Sequence, residues 1–259
     1  MLLALDVSNT HITLGVYRGS RLAHHWRIAT EAGRTGDEYG VLIAGLLEHA
    51  GIRAGDVSGV AICSVVPPLT PTLESMSRTY FGVTPLTVGP GVRTGLVIRY
   101  DSPREVGADR VALAIAAYER YGGPCIVVDF STATIFDYIS RDGEYWGGVI
   151  APGVEIAADA LFRHAARLPR VELARPKTVL GRSTTHCLQS GIVYGFAGMV
   201  DGICERLIAE NGPATVVATG ETADLIAPEC RSIQHVDPWL TLEGLRLIYQ
   251  RNRGPGGPD

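Results

Sequence analysis

The sequence predicts an α/β fold in which one β-β-β-α-β unit is used twice, as two mixed-sheet lobes with a cleft between them. Three observations carry this reading. The stretches "ALDVSNTHITLG" from Ala4 and "VVDFSTATIFD" from Val127 share one form: an apolar run, an Asp, an apolar residue, a Ser, small polar residues and a second strand-like run. A shift of 123 lays Asp6 on Asp129, Ser8 on Ser131 and Arg18 on Arg141. A chain of 259 residues with 46% apolar content can also bury a full core in one large domain or two similar lobes.

Each element follows in order. Residues 2–7, 12–17 and 21–28 read as three short strands with turns at "SNT" and "RGS". "TGDEYGVLIAGLLEHAG" has Asp37 and Glu38 in a first helical turn, apolar Val41, Leu42, Leu46 and Leu47 at helical spacing, and a stop at Gly51. "VSGVAICSVVPP" is a buried strand ended by two prolines, "TPTLESMSRTYFG" a helix, and "PLTVG" the last strand of the first lobe. The pattern then restarts with "CIVVDFS", "ATIFDYIS" and "EYWGGVIA", turning at "RDG". Helices are expected near 153–165, 184–210 and in "DPWLTLEGLRLIYQRN", with "ATVVATG" a strand entering a turn. The expected boundaries are 1–105 and 106–252 for the lobes, with 253–259, "RGPGGPD", a disordered tail.

Composition narrows the function classes. A net charge of −4 with no long basic run makes nucleic acid and anionic membrane surfaces poor partners. No apolar stretch approaches the roughly 20 residues a membrane span needs. "MLLALDV" has no basic leader region and enters a strand at once, so a cytoplasmic protein is expected. The five cysteines show no CxxC pair, and most sit in apolar surroundings as reduced thiols.

A tight turn between antiparallel strands exposes backbone N–H groups, and small residues let an oxyanion approach them. Asn9, Thr10, Thr132 and Thr134 add neutral donors, while Asp6 and Asp129 at strand ends could hold a cation against phosphates. Two such hairpins would clamp a polyphosphate; ordinary hairpins, whose Asp and Ser satisfy turn amides, are the alternative. In "YDSPREVGADRVALAIAAYERYG", Gly107, Ala108, Asp109 and Arg110 open a helix. Asp109 either accepts a proton from a substrate hydroxyl or caps the helix; Arg110 either grips a carboxylate or phosphate or is solvated. His24-His25 lies in a strand with side chains on opposite faces, and His186-Cys187 near a helix start, so neither is a metal pair.

These residues together resemble type III pantothenate kinases, of the actin-like and sugar-kinase superfamily built from two ribonuclease H-like lobes. The resemblance runs from Met1 to about Asn252. It rests on Asp6-Val7-Ser8-Asn9-Thr10 with Gly15, on Tyr100 followed by Gly107-Ala108-Asp109-Arg110, and on Asp129-Phe130-Ser131-Thr132-Ala133-Thr134. It continues in Gly147-Gly148, Pro152-Gly153, Thr184, Gln189-Ser190-Gly191 and Thr219-Gly220. The resemblance implies ATP-dependent phosphorylation of pantothenate at its 4′-hydroxyl, the first step toward coenzyme A, with magnesium travelling on ATP. It implies a phosphate loop over Asp6, Val7, Ser8, Asn9, Thr10, His11, Ile12 and Thr13, with Thr132 contacting ATP from the second hairpin. Asp129 would bind a potassium or ammonium ion, and Asp109 would be the general base. Tyr100, Gly107, Ala108, Asp109 and Arg110 would hold pantothenate, with Thr184 reaching the pocket from the other subunit of a homodimer with a shared site. A catalytically weak relative acting as a binding or regulatory protein is the alternative.

The family usually writes Asp-x-Gly-Asn-Thr and Asp-x-Gly-Thr-Ala in the two hairpins and Thr-Gly-Gly in the adenosine-side turn. Here Ser8, Ser131 and Glu221 replace glycines, all on the nucleotide side. A positive φ at these serines would cost about 1–2 kcal/mol, and a negative φ would leave the hydroxyls able to donate to phosphate; apart from φ, the serines either crowd the phosphates or donate to them. The paired replacement favours crowding.

Overall fold

The computed structural model describes residues 1–165 and 167–253; of the tail expected over 253–259, residues 254–259 lie outside the described residues. The chain gathers into two compact units, neither one continuous stretch. Met1–Leu96 joins Ser102–Ala116 and the segment from Leu240, while Val97–Asp101 joins Ala117–Trp239.

The first unit opens with β1 (Leu2–Val7), β2 (His11–Arg18) and β3 (Arg21–Ala29), an antiparallel meander. α1 (Gly36–His49) leads to β4 (Gly59–Ser64), then α2 (Thr70–Phe81) to β5 (Leu86–Thr87). The sheet order is β3-β2-β1-β4-β5, with β4 parallel to β1 and β5 parallel to β4. Central β1 is buried along its length except at Asp6, which the register sets opposite Thr13 on β2 and Cys63 on β4.

α1 begins where the sequence supplies a capping box. The Thr35 N–H donates to Glu38 Oε2 at 2.7 Å, and the Glu38 N–H donates to Thr35 Oγ1 at 3.2 Å. The face it buries is Tyr39, Gly40, Ile43 and Leu47 rather than the expected Val41, Leu42, Leu46 and Leu47; Val41 is 65% exposed. Close packing on α2 decides this, because a methyl group on Gly40 would lie 2.3 Å from the Tyr80 ring. α2 stops at Gly82, whose φ of 66° suits a left-handed cap.

The two-residue strand β6 (Val97–Ile98) and α3 (Ala108–Tyr121) follow, and α3 begins in the first unit and ends in the second. The second unit then repeats the meander with β7 (Cys125–Phe130), β8 (Ala133–Ile139) and β9 (Glu144–Pro152). α4 (Val154–His164) and α5 (Thr184–Asn211) precede β10 (Thr215–Thr219), and α6 (Ala223–Ile226) precedes β11 (His235–Val236). The sheet order is β11-β10-β7-β8-β9-β6. Apart from the added β6, it is the first sheet over again, with central β7 antiparallel to β8 and parallel to β10. The duplicated mixed-sheet α/β lobes expected from the sequence are therefore present. Strands β6 and β11 and the single-turn α6 were not expected; two to four residues are too short to show a period.

α7 (Leu240–Asn252) packs on β1, β2 and β4 of the first unit. It buries Leu240, Leu242, Leu245 and Ile248, and also Arg246, whose guanidinium meets Glu243 at 2.6 and 2.9 Å and Gln250 at 2.7 Å. Among the described residues no helix is long and apolar enough to cross a membrane.

α7 crosses α3 at Gly244, where an added methyl group would lie 2.0 Å from the Ala112 carbonyl oxygen and 2.5 Å from its carbon. Backbone cannot swing aside as a side chain can. Gly244→Ala is therefore expected to lower unfolding stability by about 1–3 kcal/mol, read as a lower denaturant midpoint. An unchanged midpoint would show that the two helices are not in contact there.

Candidate functional site

In the first unit, the β1–β2 turn closes with the Ser8 N–H donating to the His11 carbonyl at 3.0 Å. Thr30 braces it from β3's end: its hydroxyl donates to the Ser8 carbonyl at 2.7 Å, and its N–H donates to the Thr10 carbonyl at 2.9 Å. Asn9 and Thr10 are exposed at the tip, while Val7 and Ile12 are core residues at 1% and 0% exposure. Val7 and Ile12 can thus meet a ligand only through their main chain. His11 and Thr13 stand half-buried on β2.

α3 brings its first turn to the same unit. Asp109 is half-buried there, and its Oδ1 accepts the Arg110 N–H at 2.8 Å. Gly107 makes room for this: a methyl group on it would lie 2.3 Å from Asp109 Oδ1. Burial pushes the Asp109 carboxyl above its ordinary range, against the backbone N–H groups of Arg110 and Asp109 and the Arg110 charge, which pull it down. The Arg110 side chain is itself buried, at 7% exposure.

Cys63 ties these groups together. It is wholly buried on β4 beside Asp6, and its thiol is pushed well up by burial first, then by the charges of Asp6 and Asp109. A neutral thiol is thus faced by two carboxylates, one from the β1 end and one from the α3 start. The sequence analysis did not single out Cys63. Its signal was present only as the end of a second apolar strand, since pairing across 57 residues carries no local mark.

In the second unit, the β7–β8 turn has the same form. Asp129, 9% exposed, lies opposite Ile135 on β8 and Thr219 on β10, so Thr219 holds the place that Cys63 holds in the first sheet. The Ser131 N–H donates to the Ala133 carbonyl at 3.1 Å. The Ser131 hydroxyl donates to Asp129 Oδ2 at 3.0 Å. No non-glycine residue among those described has a positive φ, so neither Ser8 nor Ser131 carries the backbone strain of a left-handed conformation.

Two glycines let other segments close on this turn. Gly153 caps α4, and a methyl group on it would lie 2.3 Å from the Thr132 carbonyl and 2.5 Å from that of Ser131. Gly220, with φ of 96°, leaves room for Asp129 Oδ1, which a methyl group would approach to 2.5 Å. The adjoining Thr222 donates its N–H to the Phe130 carbonyl at 3.3 Å, yet its hydroxyl is buried with no partner. Such an orphan calls for a ligand or water, and it was invisible in sequence.

The remaining expected residues belong to other elements. Tyr100 lies in the second unit over Gly147, tilted against Tyr145 with ring centroids 6.3 Å apart. Thr184 is exposed as the first residue of α5, behind the cap made by the Ser183 hydroxyl on the His186 N–H. The cysteines are all free; Cys63, Cys125 and Cys204 are buried, while Cys187 is exposed. No cluster of three or more metal-binding side chains occurs among the described residues.

Comparisons place this geometry among known proteins. The family model described as type III pantothenate kinase matches residues 2–206. The type III pantothenate kinase 2 of Symbiobacterium thermophilum is 58% identical over 257 residues, covering 98% of this chain and 97% of that protein. The type III pantothenate kinase of Myxococcus xanthus is 56% identical over 253 residues, covering 97% and 99%. In fold, the chain resembles the inorganic polyphosphate/ATP-glucomannokinase of an Arthrobacter species, with a TM-score of 0.51, 15% identity and coverage of 97% and 99%.

Because burial raises the Asp109 pKa, charging this side chain opposes folding. The penalty is absent below the ordinary value of 3.8 and complete above the raised folded-state value. Asp109→Asn is therefore expected to melt higher than the parent at neutral pH, with the gap closing as pH falls through that window. A constant gap across the window would mean that the carboxyl is as well solvated folded as unfolded.

Proposed function

This chain belongs to the type III pantothenate kinase family, and we propose that the residues placed above carry that family's reaction. The reaction is ATP-dependent phosphorylation of pantothenate to 4′-phosphopantothenate, the first step of coenzyme A synthesis. The observation that carries the residue assignment is Asp109: a carboxylate at a helix start, desolvated enough to be a stronger base than an ordinary Asp.

In this reading Asp109 accepts the proton of the pantothenate 4′-hydroxyl as its oxygen attacks the γ-phosphorus of ATP, and ADP departs. Arg110 and the amides of Gly107 and Ala108 hold pantothenate, whose carboxylate suits a guanidinium. Tyr100 closes on the same substrate. The turn over Asp6–Thr13 and Thr132 of the second turn take the phosphates, through backbone N–H groups and the hydroxyls of Ser8, Thr10 and Thr132. Phosphoryl transfer asks the protein to position reactants and to neutralise charge, and these neutral donors and one guanidinium fit that task.

Asp129 fits a monovalent cation. It is a single, nearly buried carboxylate among neutral hydroxyl and carbonyl oxygens, a donor set suited to potassium or ammonium rather than to a protein-held transition metal. Such an ion supplies positive charge beside the nucleotide phosphates. Magnesium enters with ATP as part of the substrate.

A homodimer with a shared site is supported by α4 and α5. Gly191, Gly195 and Gly198 lie exposed along α5, and added methyl groups there would meet nothing within 4 Å. Gly191 and Gly195 border an open apolar groove lined by Leu161, Leu188, Ile192, Phe196 and Met199. Val179 and Leu180, 67% and 77% exposed, precede Thr184. A second copy covers these faces and carries Thr184 to its neighbour's pantothenate. This reading carries a cytoplasmic location with it.

Turnover of ATP with pantothenate, measured as ADP release with and without potassium, tests the reading. Asp109→Asn should lower turnover about 10²–10⁴-fold with pantothenate affinity within a few-fold. Near-normal turnover would remove Asp109 from the chemistry. Mixing inactive Asp109→Asn with inactive Thr184→Arg should restore activity, since one site of a mixed dimer would be intact. Mixed dimers that form and stay silent would place a complete site in each subunit.

A further inference from the structure

Resting on the kinase reading, we propose that Ser131 is a positioning residue. Its hydroxyl fixes the Asp129 carboxylate in the orientation that receives the monovalent cation and the nucleotide.

The two hairpins carry serine at equivalent places, yet the serines are engaged differently. Ser8 bonds through its main chain, its N–H to the His11 carbonyl and its carbonyl from Thr30 Oγ1, and its hydroxyl has no hydrogen-bond partner among the described residues. The Ser131 hydroxyl lies 3.0 Å from Asp129 Oδ2 and 3.4 Å from the Ala133 carbonyl oxygen. Both oxygens only accept, and the nearer, charged one is Asp129 Oδ2, so the Ser131 proton points at Asp129 and is unavailable to a phosphate. The hydroxyl of Ser8 remains free to meet one.

The rest of the turn keeps Asp129 in this arrangement. The Ser131 N–H is held by the Ala133 carbonyl, which fixes the serine Cα and aims its side chain back along β7. Gly220 leaves space for Oδ1 and for the Phe130 main chain, since a methyl group would lie 2.5 Å from Oδ1 and 2.6 Å from the Phe130 nitrogen and carbonyl carbon. One oxygen is thus held by a hydrogen bond and the other shaped by a missing side chain. Carboxylate torsions are broad, so each such restraint narrows the orientations open to Asp129. A glycine at 131 would leave Oδ2 without its hydroxyl.

The test measures binding without catalysis. Thermal stabilisation by MgADP, with pantothenate absent, is followed against potassium concentration for the parent, Ser131→Ala and Ser131→Thr. With the hydrogen bond to the charged carboxylate gone, Ser131→Ala should need at least about tenfold more potassium for half-maximal effect. Ser131→Thr, which keeps the hydroxyl, should restore the parent value. In turnover, the ATP KM should rise in Ser131→Ala while the pantothenate KM stays within twofold. Ser131→Gly, which any backbone accepts, gives the same comparison should the alanine variant fail to fold. Potassium dependence equal to the parent in Ser131→Ala or Ser131→Gly overturns the proposal, and so does a threonine variant that behaves like alanine. A parent that shows no potassium-dependent stabilisation removes the cation-site reading itself, and this inference with it.

Discussion

Register along β1 and β7 is the constraint from which the rest of the site follows. Each is the central strand of its sheet, paired on both sides and buried along nearly its whole length. Side chains alternate along a strand, so a slip of one residue would exchange its two faces. With the present register, Asp6 and Asp129 stand at the strand ends, beside the parallel partners Cys63 and Thr219. Leu5 and Val7, and Val128 and Phe130, are meanwhile kept in the cores. The core residues therefore place the carboxylates, since the apolar neighbours could not leave the interior without losing about 1.5–3 kcal/mol each.

The same frame is used for two electrostatic purposes. In the first unit the α3 start introduces a second carboxylate, and the residue between it and Asp6 is a thiol whose pKa both charges raise. A thiol held neutral adds no charge of its own, so Asp109 feels mainly desolvation on one side and, on the other, the backbone N–H groups of Arg110 and Asp109 and then the Arg110 charge. In the second unit Asp129 takes a hydroxyl from its own hairpin. One unit makes its acid more basic by withdrawing water. The other orders its acid with a neutral donor.

What was legible in the sequence was local. The hairpins showed because alternation, Asp-x-Ser and a polar turn fall within a dozen residues, and α1 showed because Asp37 and Glu38 open an apolar run at helical spacing that stops at Gly51. The Asp109-Arg110 pair showed because two opposite charges open an apolar helix. The buried face of α1 was misread, because Val41 and Leu42 look as apolar as Ile43 until α2 occupies one side. Cys63 and the Thr222 hydroxyl were not legible, since each acquires meaning from a strand or turn far along the chain. α7 announced an apolar face but not the sheet it would cover; that depends on Gly244 fitting the Ala112 carbonyl.

The serines show how a departure from a family's habit can be read only once φ is known. From sequence, Ser in place of Gly suggests strain, because glycine often marks a left-handed backbone. Here the positive φ values fall on glycines alone, among them Gly220, and both serines occupy backbone that any residue adopts. The restriction that glycine relieves thus lies in the segment that closes over Asp129, not in the turn that contains it. Moving the constraint to Gly220 leaves position 131 free to carry a side chain, and the hydroxyl placed there has an acceptor within 3.0 Å. At position 8 no such acceptor engages the hydroxyl, so one substitution made twice gives one ordered carboxylate and one unengaged donor.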